Sequence, residues 1–301
     1  MSLTTLENEC LRCQIDPEAG ASIVTLALRM KDAWVPVMRP TPPEAIESGN
    51  SSDMASFVLV PYSNRIGDAR FTFEGKSYEL VPNTSDGHTI HGDVRKRPWQ
   101  VTDVGPTWIR LRFESRTFSD INFPFPFNAN LGYEIDGNGF RAELEVENAG
   151  TERMPAGMGH HPYYSRTLTD PSEQVEVQAT YTREYAGTVP TTPAGPLSPA
   201  HDFSKSRTIG DADIDCCFAG WDGKAVITWP GSGVRAEIDC EPPLRHVILF
   251  TPPGKPFFAL EPVSNANNGF NLFAAGDADS GVRVLEPGQT MAASFRVRVV
   301  S

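Results

Sequence analysis

Apolar and polar residues alternate along much of the chain. Within 140–147 (FRAELEVE), Phe140, Ala142, Leu144 and Val146 are interleaved with Arg141, Glu143, Glu145 and Glu147. Ile109, Leu111 and Phe113 alternate with Arg110, Arg112 and Glu114. Phe295, Val297 and Val299 do so with Arg296 and Arg298, and Val175, Val177, Ala179 and Tyr181 keep the same spacing. A period of two sends alternate side chains to opposite faces of an extended chain, so each segment reads as a strand with one face in a core and one in water. No long segment carries the 3.6-residue period and caps of an amphipathic helix. Residues 40–53 (PTPPEAIESGNSSD) are polar and Pro-rich and read as a surface loop. Residues 188–206 hold Pro190, Pro193, Pro196 and Pro199 and read as an excursion from the sheet. So many half-apolar strands need a second sheet to cover them. The expected fold is therefore all-β, an antiparallel sandwich, with residues 1–301 forming a single domain.

Composition agrees and narrows the choice. The 301 residues are 40% apolar and 21% charged, enough to bury a full core. They include 25 glycines and 26 prolines, above the usual share of ~12% for the two together, which disfavours a helical protein. A net charge of −12 argues against nucleic acid or an anionic membrane as the main partner. No run of ~18 apolar residues suggests a membrane span, and the first residues lack a basic stretch leading into an apolar one. The five cysteines form no disulfide framework: Cys216 and Cys217 are adjacent, Cys10 and Cys13 make a lone C-x-x-C, and Cys240 stands alone. Free buried thiols and a cytoplasmic location are expected.

Two motifs fail on their surroundings. Gly75-Lys76-Ser77 has Arg70 where a phosphate loop needs its earlier glycine, and the strand-like Glu237-Ile238-Asp239-Cys240 follows Gly231-Ser232-Gly233 where a dinucleotide fold needs a helix. Both read as hairpin turns. What remains is a set of histidines. Four of the six lie in two Gly-rich groups, Asp86-Gly87-His88-Thr89-Ile90-His91-Gly92-Asp93 and Gly157-Met158-Gly159-His160-His161-Pro162-Tyr163-Tyr164. An imidazole titrates near neutrality and serves as acid or base at cell pH. A third element runs from apolar Phe257–Leu260 into Glu261 and then an amide-rich loop ending in Asn268-Gly269-Phe270-Asn271. A carboxylate buried at a strand end has a raised pKa and makes a useful base. A fourth is Tyr62-Ser63-Asn64-Arg65-Ile66, whose arginine reads either as a ligand-binding group or as one half of a structural ion pair. Amides, acids, arginines and aromatic rings on a β scaffold suit a sugar ligand.

In this order and spacing, Asn64-Arg65-Ile66, Ile90-His91-Gly92 with Trp99, His161-Pro162-Tyr163-Tyr164, Asp215-Cys216-Cys217-Phe218, Leu260-Glu261 with Phe270-Asn271, and Val284-Leu285-Glu286-Pro287-Gly288 resemble the galactose mutarotase-like aldose 1-epimerases over nearly the whole chain. The resemblance implies a β-supersandwich and interconversion of the α and β anomers of an aldose without a cofactor or metal. Glu261 falls at the position of the general base, His161 at that of the general acid, and His91 at that of the second active-site histidine. Arg65 and Asp215 fall at substrate-binding positions. The His-Pro-Tyr match selects His161 over His160, and Phe218 sets the register that selects Asp215 over Asp213. Asn268 and Asp93 depart from the residues common in that family.

The expected partner is a small-molecule sugar, and the protein a monomer or homodimer. Arg95-Lys96-Arg97 reads first as a solvated basic turn and second as a reader of an anionic sugar substituent. Competing functions are a sugar-binding protein without turnover, a carbohydrate lyase or glycosidase on a related scaffold, and a metal enzyme using His88, His91, His160 and Glu261.

Overall fold

The structure, a computed structural model, describes residues 3–301. Two large antiparallel sheets dominate it. The nine-stranded sheet runs in the spatial order Gln100–Val104, Trp108–Glu114, Phe127–Asp136, Gly139–Asn148, Thr290–Val300, Val234–Cys240, Lys224–Trp229, Glu176–Ala179 and Arg207–Thr208. The alternating segments read from the sequence are its strands. The eight-stranded sheet runs Gly195–Pro196, Arg183–Glu184, Asp215–Ala219, His246–Phe250, Phe257–Val263, Gly159–His160 and Val58–Leu59, with Tyr163–Ser165 also pairing Phe257–Val263. A four-stranded sheet, Thr4–Glu7 to Ala33–Pro36, packs alongside. This is the β-supersandwich expected.

The eight-stranded sheet is apolar on both faces, and period two sorts its residues. Val58, Val60, Tyr164, Phe218, Val247, Leu249, Phe258 and Leu260 enter the main core, where they join Phe140, Phe295 and Val297 of the other sheet. Phe57, Leu59, Tyr163, Cys217, Ile248, Ala259 and Val263 form a second, smaller cluster on the opposite face. Glu261, between Ala259 and Val263, shares that second face.

Residues 40–53 are more ordered than a loop. Pro43 begins a helix, Pro43–Ser48, which ends at Gly49 in a left-handed conformation (φ 66°), and a 3-10 turn follows at Ser51–Asp53. Residues 188–206 hold only a two-residue strand and a 3-10 turn at Pro199–His201. Gly75 and Gly231–Gly233 sit in hairpin turns, as their flanks predicted. All five cysteines are free. No helix among the described residues is long and apolar enough to cross a membrane.

Candidate active site

Glu261 stands in the middle of its strand, opposite Ile248, and is 2% exposed. His161 follows the strand Gly159–His160 and is tied by its backbone N–H to the Phe57 carbonyl at 2.9 Å. Its ring lies between those of Phe57 and Tyr163, each 4.5 Å away between centroids. Its Nε2 is 3.3 Å from Glu261 Oε1. Adjacent residues on a strand face opposite ways, and His160 accordingly turns into the main core, 5.4 Å from the Phe295 ring. Chain parity therefore places His161 against Glu261 and His160 away from it.

His91 packs edge-on against His161 at 5.0 Å between ring centroids. It is carried there by the pairing of Arg65–Ile66 with Thr89–Ile90 and by its N–H to the Asn64 carbonyl. The chain turns sharply at this point. His91 and Gly92 both have φ of 66°, and a Cβ on Gly92 would lie 1.9 Å from the Val60 carbonyl oxygen. A left-handed histidine costs about 1–3 kcal/mol and is held only by surrounding structure.

Arg65 is half-buried and forms no ion pair among the described residues, so the structural-pair alternative does not hold for it. Its neighbour Asn268, one of the family departures, is a cross-link: its backbone N–H donates to the Arg65 carbonyl, its Oδ1 accepts from Gly67 N, and its Nδ2 donates to the Pro190 carbonyl. Asp93, the other departure, is also structural, accepting from Arg97 and from the backbone of Asn122. Asp215 opens the strand two places along the chain from Cys217, on the face that bears Cys217 and Glu261. It reaches solvent, yet the protein around its carboxyl raises the pKa; Arg65 pulls the other way and Asp213 adds to the rise.

Burial sets the proton inventory. Desolvation lifts Glu261 well above the carboxylate range, with Asp215 adding to the rise and Arg65 opposing it. Desolvation pushes His161 well below the imidazole range, with Arg39 and Arg95 contributing. His91 is lowered by burial, by His161, and by Arg95 and Arg65. Burial thus disfavours the charged form of each group, and with it a buried ion pair between them. Glu261 Oε2, His161 Nδ1, His91 Nδ1 and Arg65 Nε are buried without a hydrogen-bond partner. Four such atoms in one locality are uncommon in a folded protein and make it the candidate binding site.

The metal alternative does not assemble. His160 faces the core, and His88 accepts from the Asp68 N–H through Nδ1. Among the described residues the one group of potential metal ligands with atoms within 4.8 Å of each other is Glu184, His201 and Cys216, a set that contains none of these histidines. A surface concavity of about 540 Å³ lies over polar residues of the nine-stranded sheet such as Arg110, Glu143 and Glu145, and none of the candidate residues lines it.

Reading the sequence missed two basic groups. Arg39 had no place in it, and Arg95 was expected in a solvated turn. Both are buried, at 7% and 9% exposure. Only Lys96 of the basic triplet is exposed, while Arg97 pairs with Asp93 and Asp120. The available signal was local: each follows an apolar residue, Met38 or Val94, that enters the core.

A buried acid and imidazole on a β-supersandwich define the class to which this chain is similar. The family model for aldose 1-epimerase matches residues 2–298. The chain belongs to that family. It is 26% identical to the uncharacterized protein YphB of Escherichia coli, over 99% of each chain. It is 23% identical to the Escherichia coli aldose 1-epimerase over 54% of this chain and 47% of that one. Among solved structures, a putative aldose 1-epimerase from Escherichia coli superposes with a TM-score of 0.84 at 26% identity, covering 99% of both chains. Galactose 1-epimerase from Lactobacillus acidophilus gives 0.77 at 15% identity, covering 99% of this chain and 94% of that one.

Proposed function

We propose that this protein is a mutarotase that interconverts the α and β anomers of an aldose, with Glu261 as general base and His161 as general acid. The observation that carries the reading is the 3.3 Å approach of two buried groups whose pKa values are driven in opposite directions. Glu261 removes the proton from the C1 hydroxyl as His161 protonates the ring oxygen. The C1–O5 bond breaks, the aldehyde turns about C1–C2, and the hydroxyl re-adds to the other face with the two roles reversed. The cycle begins and ends with one transferable proton shared by the pair. The tautomer with carboxylate and imidazolium is the reacting one, and the substrate's own oxygens separate the two groups. His91, held neutral, keeps the ring oxygen in place. Arg65 and Asp215 bind sugar hydroxyls.

Each acid or base group contributes about 10²–10⁴-fold. Saturation-transfer NMR over a panel of aldoses tests the proposal. Exchange between the anomeric C1 protons accelerated in proportion to enzyme supports it. Binding without accelerated exchange would make the protein a sugar-binding module instead. Glycosidase chemistry needs two carboxylates facing each other across the bond to be cut; Asp215 shares a face with Glu261, so release of product from a disaccharide is the result that would favour that reading instead.

A further inference from the structure

Arg39 and Arg95 lie behind the acid, not beside the base. The Arg39 guanidinium stacks 3.5 Å from the centroid of the Tyr163 ring and 4.6 Å from that of Phe257; that of Arg95 lies 5.5 Å from the Phe57 ring. Tyr163 and Phe57 are the rings that sandwich His161. The two arginines meet at Ser52: Arg39 Nη2 donates to its carbonyl at 2.6 Å, and Arg95 Nη1 donates to its hydroxyl. Arg39 is further fixed by Nε and Nη2 on the Met54 carbonyl.

Neither arginine has a carboxylate within ion-pair distance among the described residues, whereas Arg97, two positions from Arg95, has two. Asp53, the acid that acts on Arg39, is exposed and accepts from Asn50 Nδ2. Among the described residues, Arg39 donates to backbone carbonyls from Nε and Nη2, and Arg95 to Ser52 from Nη1. Two guanidinium groups more than nine-tenths buried, without a carboxylate in contact, carry a desolvation cost that their hydrogen bonds and ring contacts offset only in part. At the other end of the site, Arg65 acts on both Glu261 and Asp215. Arg39 and Arg95 both act on His161, so two of the three arginines around the site lie on the acid's side.

We propose that Arg39 and Arg95 bind an oxyanion on the exocyclic carbon of the sugar, so that the substrate is an anionic aldose rather than a neutral one. The position on the sugar rests on the mutarotase reading. If Glu261 works at C1 and His161 at the ring oxygen, the next atom beyond that oxygen is C5, and its substituent meets the two arginines. The forked guanidinium donors suit a carboxylate, phosphate or sulfonate.

The test separates this inference from turnover by measuring binding. Glucose, galactose, glucuronate, glucose 6-phosphate and 6-deoxy-6-sulfoglucose are titrated into the wild-type protein by calorimetry at low and moderate salt. At least one anionic sugar is expected to bind about 10- to 100-fold more tightly than glucose, the gain of one or two charge-assisted hydrogen bonds. The three anionic arms identify which oxyanion fits. Arg95→Gln and Arg39→Gln should each shrink that ratio toward one, and Arg95→Lys should restore part of it. Neutral sugars binding as tightly as all three anionic ones overturns the proposal, as does a preference that both Gln variants retain. Anomer exchange is followed separately. Its absence on every sugar would sink the mutarotase reading, while the binding ratio would still decide the anion site.

Discussion

Replacing Glu261 with Gln changes one oxygen to an amide nitrogen and leaves the volume of the side chain intact. Two effects follow from the buried carboxyl. The first is catalytic. Gln cannot accept the C1 proton, so anomer exchange should fall by about 10²–10⁴-fold, or about 3–5 kcal/mol in barrier. The second concerns stability and has a definite sign. The folded pKa of Glu261 lies above its ordinary value of 4.5. The native state therefore holds this proton more tightly than the unfolded chain does. Its stabilising contribution is complete below pH 4.5 and is lost as pH rises through the folded value, at up to about 1.4 kcal/mol per pH unit. Gln does not titrate. The variant should gain on the wild type as pH climbs from 4.5 toward 8, by about 2 °C in Tm for each kcal/mol. The other titrating groups are common to both proteins and cancel to first order in the difference. Saturation-transfer NMR gives the rate, and thermal unfolding at pH 4.5, 6, 7 and 8 gives the stability gap. Exchange within tenfold of wild type would remove Glu261 from the chemistry. A gap that stays flat with pH would refute the raised pKa of this carboxyl.

Other expectations are as direct. His161→Gln should lose at least ~10²-fold in exchange rate, whereas His160→Gln, altered on the core side of the same strand, should keep the rate within a few-fold and act on unfolding; equal losses would contradict the parity argument. Because the pair must keep its proton, the rate should fall as pH rises past the elevated Glu261 value, and a pH–rate profile that keeps rising through the alkaline range would exclude the shared-proton picture. Gly92→Ala drives a methyl group into the Val60 carbonyl and should cost well over the ~1 kcal/mol expected of Gly75→Ala, where no atom lies within 4 Å; urea unfolding of the two variants makes the comparison. Phe258→Ala, on the core face of the strand that carries Glu261, should cost about 3–5 kcal/mol by the same measurement.

The sequence by itself determined the strands and which titratable groups they carry. Alternation is local, because a two-residue period depends only on extended backbone geometry, so 109–114, 140–147 and 295–299 could be recognised as strands without knowing their partners. The same parity already held the distinction between His160 and His161, but its sense required knowing which face of Gly159–His160 meets the other sheet. Residues 40–53 defeated local reading because the helix there is six residues long and helps form the wall from which Ser52 meets Arg39 and Arg95. Arg95 was misjudged for the same kind of reason. Its sequence neighbours are charged, and only the return of Phe57 and Ser52 from elsewhere in the chain encloses it. The tertiary structure decided distances and solvation: that residues 161 and 261, 100 positions apart, stand 3.3 Å from each other, and that their protons are governed by burial. Residue identity fixes which groups can titrate, but how much water surrounds them depends on chain segments that no local pattern encodes.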